Sequence, residues 1–121
     1  MGHPANHHTI NYVEFFSNNI ARTKTFYTTV FGWSFQDWGP DYISFDKTSA
    51  GIDGGFRTGA ADEKLRGFTP LIVLYSADLK ATEDAIRAAG GSIVVPVFEF
   101  PGGRRFHFSD GAGNVLAVWS E

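Results

Sequence analysis

The densest run of chemistry-bearing residues in this chain is Pro101-Gly102-Gly103-Arg104-Arg105-Phe106-His107-Phe108. Proline followed by two glycines makes a hairpin tip, and the residues after it alternate as a strand does. Arg105 and His107 then share one face, and Arg104, Phe106 and Phe108 share the other. Whichever face meets a ligand offers cationic donors suited to a carboxylate or phosphate group; otherwise the arginines only solvate a sheet edge. His107 can act as an acid–base group, a hydrogen-bond donor or a satisfied core histidine, since imidazole ordinarily titrates near neutral pH. Glu14 stands among Tyr12, Phe15 and Phe16. A carboxylate between rings is a candidate general base or cation anchor, and the plain alternative is a solvated Glu or one paired with Arg104 or Arg105. Glu14 and His107 are therefore the candidate catalytic pair. His3, His7 and His8 resemble a metal-binding cluster near a terminus, where adventitious binding is the expected chemistry.

Other chemistries lack their residues. The chain has no cysteine, which removes disulfides, thiolate nucleophiles and thiolate metal sites together. Gly51-Ile52-Asp53-Gly54-Gly55 is glycine-rich but opens no predicted helix, so no helix N-terminus is there to receive a phosphate. No nucleophile elbow is present.

Two strand–helix units must position these residues. The segment 8–16 reads as a strand, and Asn18 or Asn19 can cap a helix over about 19–31 that ends at Gly32. Ile20, Thr23, Phe26, Tyr27, Val30 and Phe31 form its apolar face. Short strands follow at 33–38, 42–45 and 51–57, with 47–50 as a loop. Residues 58–67 are small and polar and read as a linker. The pattern then restarts with a strand over 68–75. Ser76 or Asp78 caps a helix over about 79–89, with Glu83 and Arg87 spaced to pair. Strands follow over 92–98, 104–108 and 115–120. A shift of 59 lays Tyr12 on Leu71 and Asn19 on Asp78. A shift of 63 lays Tyr42 on Arg105, Ile52 on Val115 and Phe56 on Trp119.

A doubled βαβββ unit makes an α+β domain of two modules, about 8–57 and 68–121, whose curved sheets enclose a cup. Val13 and Phe15 face the helix, and Ile10, Tyr12, Glu14 and Phe16 face the other way. By the same count Tyr42, Phe56, Tyr75 and Trp119 line the cup as ring-stacking candidates. Aromatic residues make up 16% of the chain, which suits either a thick core or a ring-lined cavity. At 121 residues one domain is all the chain can hold. A net charge of −3 without a basic run gives no support to a nucleic-acid or anionic-membrane partner. The longest apolar runs, 71–75 among them, are far short of a membrane span. A cytoplasmic protein is expected.

Tyr12-Val13-Glu14-Phe15, then Ala21 to Tyr27, then Val30-Phe31-Gly32-Trp33-Ser34-Phe35 resembles the opening of the vicinal oxygen chelate superfamily. That group includes glyoxalase I, bleomycin-resistance proteins and extradiol dioxygenases. Ala89-Gly90-Gly91 and Asp110-Gly111-Ala112-Gly113-Asn114 resemble its second module. The resemblance implies four metal-ligand points, on the first and last strand of each module. In this chain those points fall on Tyr12, about Gly54 or Asp53, Leu71 and Ala117. Leu, Ala and Gly carry no donor atom, so neither metal nor cofactor is expected.

The resemblance and the aromatic cup together imply a metal-independent small-molecule binder, with Tyr12, Glu14, Tyr42, Phe56, Tyr75, Arg104, Arg105, His107 and Trp119 as candidate contacts. A planar ligand with an anionic group would gain from both rings and arginines. The alternatives are a lyase, isomerase or dioxygenase-like enzyme using Glu14 and His107, with or without a weak metal site, and a dimeric sensory or interaction module. A homodimer is expected, because relatives pair modules between chains and open sheet edges invite association.

Overall fold

Both helices begin at the same small device, built twice. In a computed structural model, which describes residues 7–8, 10–58 and 71–121, Ser17 and Thr23 share a hydrogen bond of 2.6 Å. The Asn19 backbone N–H donates to Ser17 Oγ, and Asn19 Oδ1 accepts from the Arg22 N–H. The second copy is Ser76, Thr82, Asp78 and Ala81, with the same four partners in the same roles. Each position is displaced by 59 residues, so the repeat is a repeat of strand–helix joints. Asn19 and Asp78 are the caps, each satisfying an amide that the first helical turn leaves open.

Module one runs β1 (Val13–Phe16), α1 (Ile20–Phe31), β2 (Phe35–Asp37), β3 (Tyr42–Phe45), α2 (Lys47–Ala50) and β4 (Gly54–Arg57). Module two runs β5 (Val73–Tyr75), α3 (Leu79–Ala88), β6 (Ser92–Phe100), β7 (Gly103–Ser109) and β8 (Val115–Ser120). The sheets are β1-β4-β3-β2 and β5-β8-β7-β6, each with one parallel pair, β1 with β4 and β5 with β8. This is the α+β arrangement of two βαβββ modules. Residues 47–50, expected as a loop, form a helical turn capped by Asp46 and closed by Gly51 in the left-handed region. The linker read at 58–67 lies, from residue 59 on, outside the described residues, as do His3 and the first part of the strand expected over 68–75.

One core serves both modules. Phe26, Tyr27, Ile43, Phe45 and Phe56 from the first join Leu79, Ile86, Phe106, Phe108, Leu116 and Val118 from the second. Phe108 of β7 lies 6.2 Å from the Phe26 ring and 5.9 Å from that of Phe31, so α1 is packed against the second sheet as well as its own. Both sheets present their helix sides to this core, as expected for Phe15. The opposite face of each sheet points away from it. Among the described residues no element packs on either open face: Tyr75 is 55% exposed on the second and Trp38 57% on the first. No helix among them is long and apolar enough to cross a membrane.

Candidate functional site

Strand pairing builds a straight row across the open face of the second sheet. Tyr75 is opposite Trp119, Trp119 opposite Arg105, and Arg105 opposite Phe98. The Tyr75 and Trp119 rings meet edge-on at 5.1 Å, and Phe100 approaches Trp119 at 6.3 Å. The Arg105 guanidinium lies 5.1 Å from the Phe98 ring centre and 5.5 Å from that of Phe100, a cation held over aromatic faces. The next row is Val73, Ala117, His107 and Val95. Arg105 Nε and His107 Nε2 are both shielded from solvent and have no hydrogen-bond partner. Burial, reinforced by the Arg105 charge, holds the His107 imidazole below its usual pKa, so it is neutral at physiological pH.

The first module has a more polar open face. Phe16, Arg57 and Tyr42 form its equivalent row. Glu14 Oε2 and Arg57 Nε form an ion pair at 3.1 Å, with both side chains substantially exposed, a pair that contributes little to stability. Tyr42 lies over β4, where a Cβ at Gly55 would come within 2.6 Å of its hydroxyl, so glycine there makes the phenol's position possible. Burial raises the Tyr42 pKa and keeps it protonated. Trp38 donates from Nε1 to Ser44 Oγ at 2.8 Å on the same side. Tyr12, just ahead of β1 and 38% exposed, has the same parity as Glu14.

Thus Tyr12, Glu14 and Tyr42 lie on one open face, and Tyr75, Arg105, His107 and Trp119 on the other. Glu14 pairs with Arg57, not with Arg104 or Arg105. Glu14 and His107 stand on different sheets, whose helix sides share one core, and the described residues place no contact between them. Two expectations are corrected. Arg104 is turned to the opposite side of β7 from Arg105, where its strand neighbour is Glu99. Phe56 is 0% exposed and points to the helix side, with its ring 4.9 Å from Phe15 and 4.8 Å from Tyr27.

The cause of the Phe56 error is one residue. From Tyr42 to its partner Arg57 the chain advances 15 positions, whereas from Arg105 to Trp119 it advances 14. The helical turn α2 accounts for the excess, so the true equivalent of Trp119 is Arg57, and a slip of one exchanges the faces of a strand. Phe98 and Phe100 were missed. Their signal was available: counting outward from the Pro101-Gly102 tip pairs Phe100 with Gly103 and Phe98 with Arg105.

A second concavity, about 570 Å³, lies at the seam between modules and is lined by Val13, Phe15, Phe31, Trp33, Ile72 and Leu74 among others. Its lining is mostly apolar and reaches from the core side round the β5 edge to Val73 and Tyr75 of the open face. The corrected register also moves the metal-ligand point on the fourth strand to Gly55, opposite Glu14 as Ala117 is opposite Val73. Tyr12, Gly55, Leu71 and Ala117 supply no cage, and no cluster of three His, Asp or Glu side chains occurs among the described residues. Of the carboxylates near those points, Glu14 is paired with Arg57 and Asp53 accepts from the Lys47 backbone N–H. These donors do not fit a resident divalent cation.

The sequence matches the family model of the Glyoxalase/Bleomycin resistance protein/Dioxygenase superfamily over residues 9–118. No curated protein matches. Among solved structures, a glyoxalase/bleomycin resistance protein/dioxygenase family enzyme from Burkholderia phytofirmans superposes with a TM-score of 0.72 at 18% identity, over 91% of this chain and 96% of that one. A genomically encoded fosfomycin resistance protein from Listeria monocytogenes gives 0.71 at 15%, over 93% and 92%. A lactoylglutathione lyase from Agrobacterium tumefaciens gives 0.67 at 16%, over 93% of each chain. Identities this low speak for the fold and not for the reaction. With a family model matched along nearly its whole length and two βαβββ modules in its fold, the chain belongs to the glyoxalase/bleomycin resistance protein/dioxygenase superfamily.

Proposed function

We propose that this protein binds a small molecule without a metal, on the open face of its second sheet. The observation that carries this reading is the Arg105–His107 pair, two shielded polar atoms without partners inside a frame of Phe98, Phe100, Trp119 and Tyr75. Buried polar atoms left unmet in a folded protein mark a place that a ligand can complete. Rings around them supply contact area with few rotors to freeze. The misfit of the donor set to a divalent cation supports metal independence. The pairing of Glu14 with Arg57 weighs against Glu14 and His107 acting as one catalytic pair.

The indole N–H resonances of Trp119, Trp38 and Trp33 separate the three candidate surfaces, since these residues stand on the second open face, the first open face and the seam. Protein dialysed against EDTA and titrated with small aromatic compounds should show movement of the Trp119 signal, with affinities unchanged when divalent ions are restored. Binding that disappears on chelation, or that moves only Trp33 or Trp38, would reject this reading.

The same open face argues for a second copy of the chain. Val73, Tyr75, Val95 and Val115 are exposed large apolar residues on it, and β5 and β6 are sheet edges. Sedimentation velocity at micromolar concentration should give a two-chain species. Val115→Lys, a change at an exposed position, should shift it to monomer. A parent that sediments as a strict monomer removes the homodimer from the proposal.

A further inference from the structure

We infer that the ligand of the second sheet is a planar aromatic monocarboxylate, its carboxylate bound by Arg105 and His107 and its ring laid against the Tyr75–Trp119–Phe98 row. This rests on the reading that the face binds a small molecule, and it adds the chemical class.

The charge count sets the class. Among the described residues Arg105 has no carboxylate partner, unlike Arg57 and Arg87, which are both paired. The groups that face His107 are Arg105 on its own strand, Val95 and Phe98 on β6 and Ala117 on β8. None but Arg105 is charged, and His107 itself is held neutral. At the edge of the face the Tyr75 hydroxyl donates to the Glu121 carboxylate, so at the centre the face presents one positive charge without a carboxylate partner and one uncharged imidazole. One negative charge matches it. A dianion such as a phosphate monoester would leave a charge uncompensated among rings, which is costly in a shielded setting.

Shape sets the rest. Arg105 and His107 are alternate residues of β7, one strand repeat apart, so their free nitrogens flank a single small group rather than two distant ones. The guanidinium is fixed over Phe98 and Phe100, which reduces the freedom lost when it binds an anion. Ala117, opposite His107, is the smallest residue of the two rows and is fully buried beneath its neighbours. The Trp119 ring, met edge-on by Tyr75 and Phe100, offers one face or edge for a planar ligand whose charge is at one end.

The probes are naphthalene-2-carboxylate and its uncharged amide, naphthalene-2-carboxamide, titrated calorimetrically into the full chain at about pH 7.5. The parent should bind the acid about tenfold or more tightly over the amide, the scale of a hydrogen bond to a charged group. Arg105→Met keeps an apolar stem on the Phe rings and should bring that ratio to about one while leaving amide affinity within about twofold. An anion beside His107 favours the imidazolium, so acid binding should strengthen as pH falls toward about 5.5, and His107→Gln should abolish that trend. Equal binding of acid and amide with movement of the Trp119 resonance would overturn the carboxylate class and leave the binding face standing. A preference for the acid that survives Arg105→Met would overturn the anchor. Movement of Trp33 instead of Trp119, or no binding of either probe, would overturn the site itself.

Discussion

Asp110→Ala is expected to lower the free energy of unfolding by about 3–5 kcal/mol, a large effect for a residue in a turn. Asp110 is 1% exposed. Its Oδ2 accepts from the Tyr27 hydroxyl at 3.0 Å and from Asn114 Nδ2 at 2.9 Å. Its Oδ1 accepts from the Ala112 and Asn114 backbone N–H groups at 2.7 and 3.1 Å. Asn114 Nδ2 also donates to the Phe16 carbonyl, and the Asn18 N–H donates to the Ala112 carbonyl. The turn between β7 and β8 is thus tied to α1 and to the end of β1, across the two modules. Truncation leaves several buried donors unpaired at once, each costing about 1–3 kcal/mol before relaxation. In a cycle with Tyr27→Phe, read by urea unfolding, the coupling should be about 1–3 kcal/mol. A loss under about 1 kcal/mol for Asp110→Ala would mean that packing alone holds the modules together.

Tyr27 adds a pH signature to the same joint. Burial first, and then the Asp110 charge beside it, raise the phenol's pKa well above its usual value. A raised acid favours the fold while it is protonated. Its contribution is complete below the unfolded pKa of about 10 and is lost as pH rises through the higher folded value. The parent should therefore lose stability above about pH 10 by a component that Tyr27→Phe lacks. The joint matters to the binding face because the turn it fixes joins the strands that carry Arg105, His107 and Trp119.

Local signals in the sequence were readable where a single residue type satisfies a backbone need. Asn19 and Asp78 cap, Gly32 closes α1 with φ of 73°, and Glu83 pairs with Arg87 as their spacing predicts. The parity of β1 followed from alternation alone. The glycine-rich turn at 110–114 resembled a family motif, but nothing local says that its carboxylate reaches a tyrosine 83 positions earlier. The repeat showed which residues correspond only as far as its loops agree in length. It paired Tyr42 with Arg105 correctly, since each precedes the loop, and failed at Phe56, which follows α2. Alternation cannot repair that failure, because Gly54 and Gly55 give β4 no apolar–polar pattern to count by. The docking of the two modules was equally hidden. Which side of a sheet meets the other module depends on Phe26 and Phe31 meeting Phe108, contacts between residues with no local relation.

Phe56 supplies the sharpest test of the corrected register, because the two placements predict opposite experiments. On the wall of a cup, Phe56→Ala would weaken ligand binding and cost little stability. In the structure the ring is fully buried and stacked on Phe15 at 4.9 Å, with Tyr27, Phe45 and Phe35 at 4.8, 5.9 and 6.1 Å. Truncation there opens a cavity that neighbouring strands and α1 can collapse into only partly, so the expected loss is about 3–5 kcal/mol in urea unfolding. Phe56→Leu removes less volume and keeps the site apolar, with an expected loss of about 1–2 kcal/mol. That variant stays folded and so isolates binding: its affinity for naphthalene-2-carboxylate should match the parent's, since Phe56 and the Arg105 row belong to different sheets and opposite faces. Trp119→Leu provides the contrast, because that ring stands in the row itself and its loss should weaken the same probe. A Phe56→Leu protein that is stable but binds the probe several-fold more weakly would return Phe56 to the wall and reverse the register of β4. Phe56 also touches Tyr27, which donates to Asp110, so Phe56→Ala and Asp110→Ala should fail to add when combined, as expected for residues that share a contact.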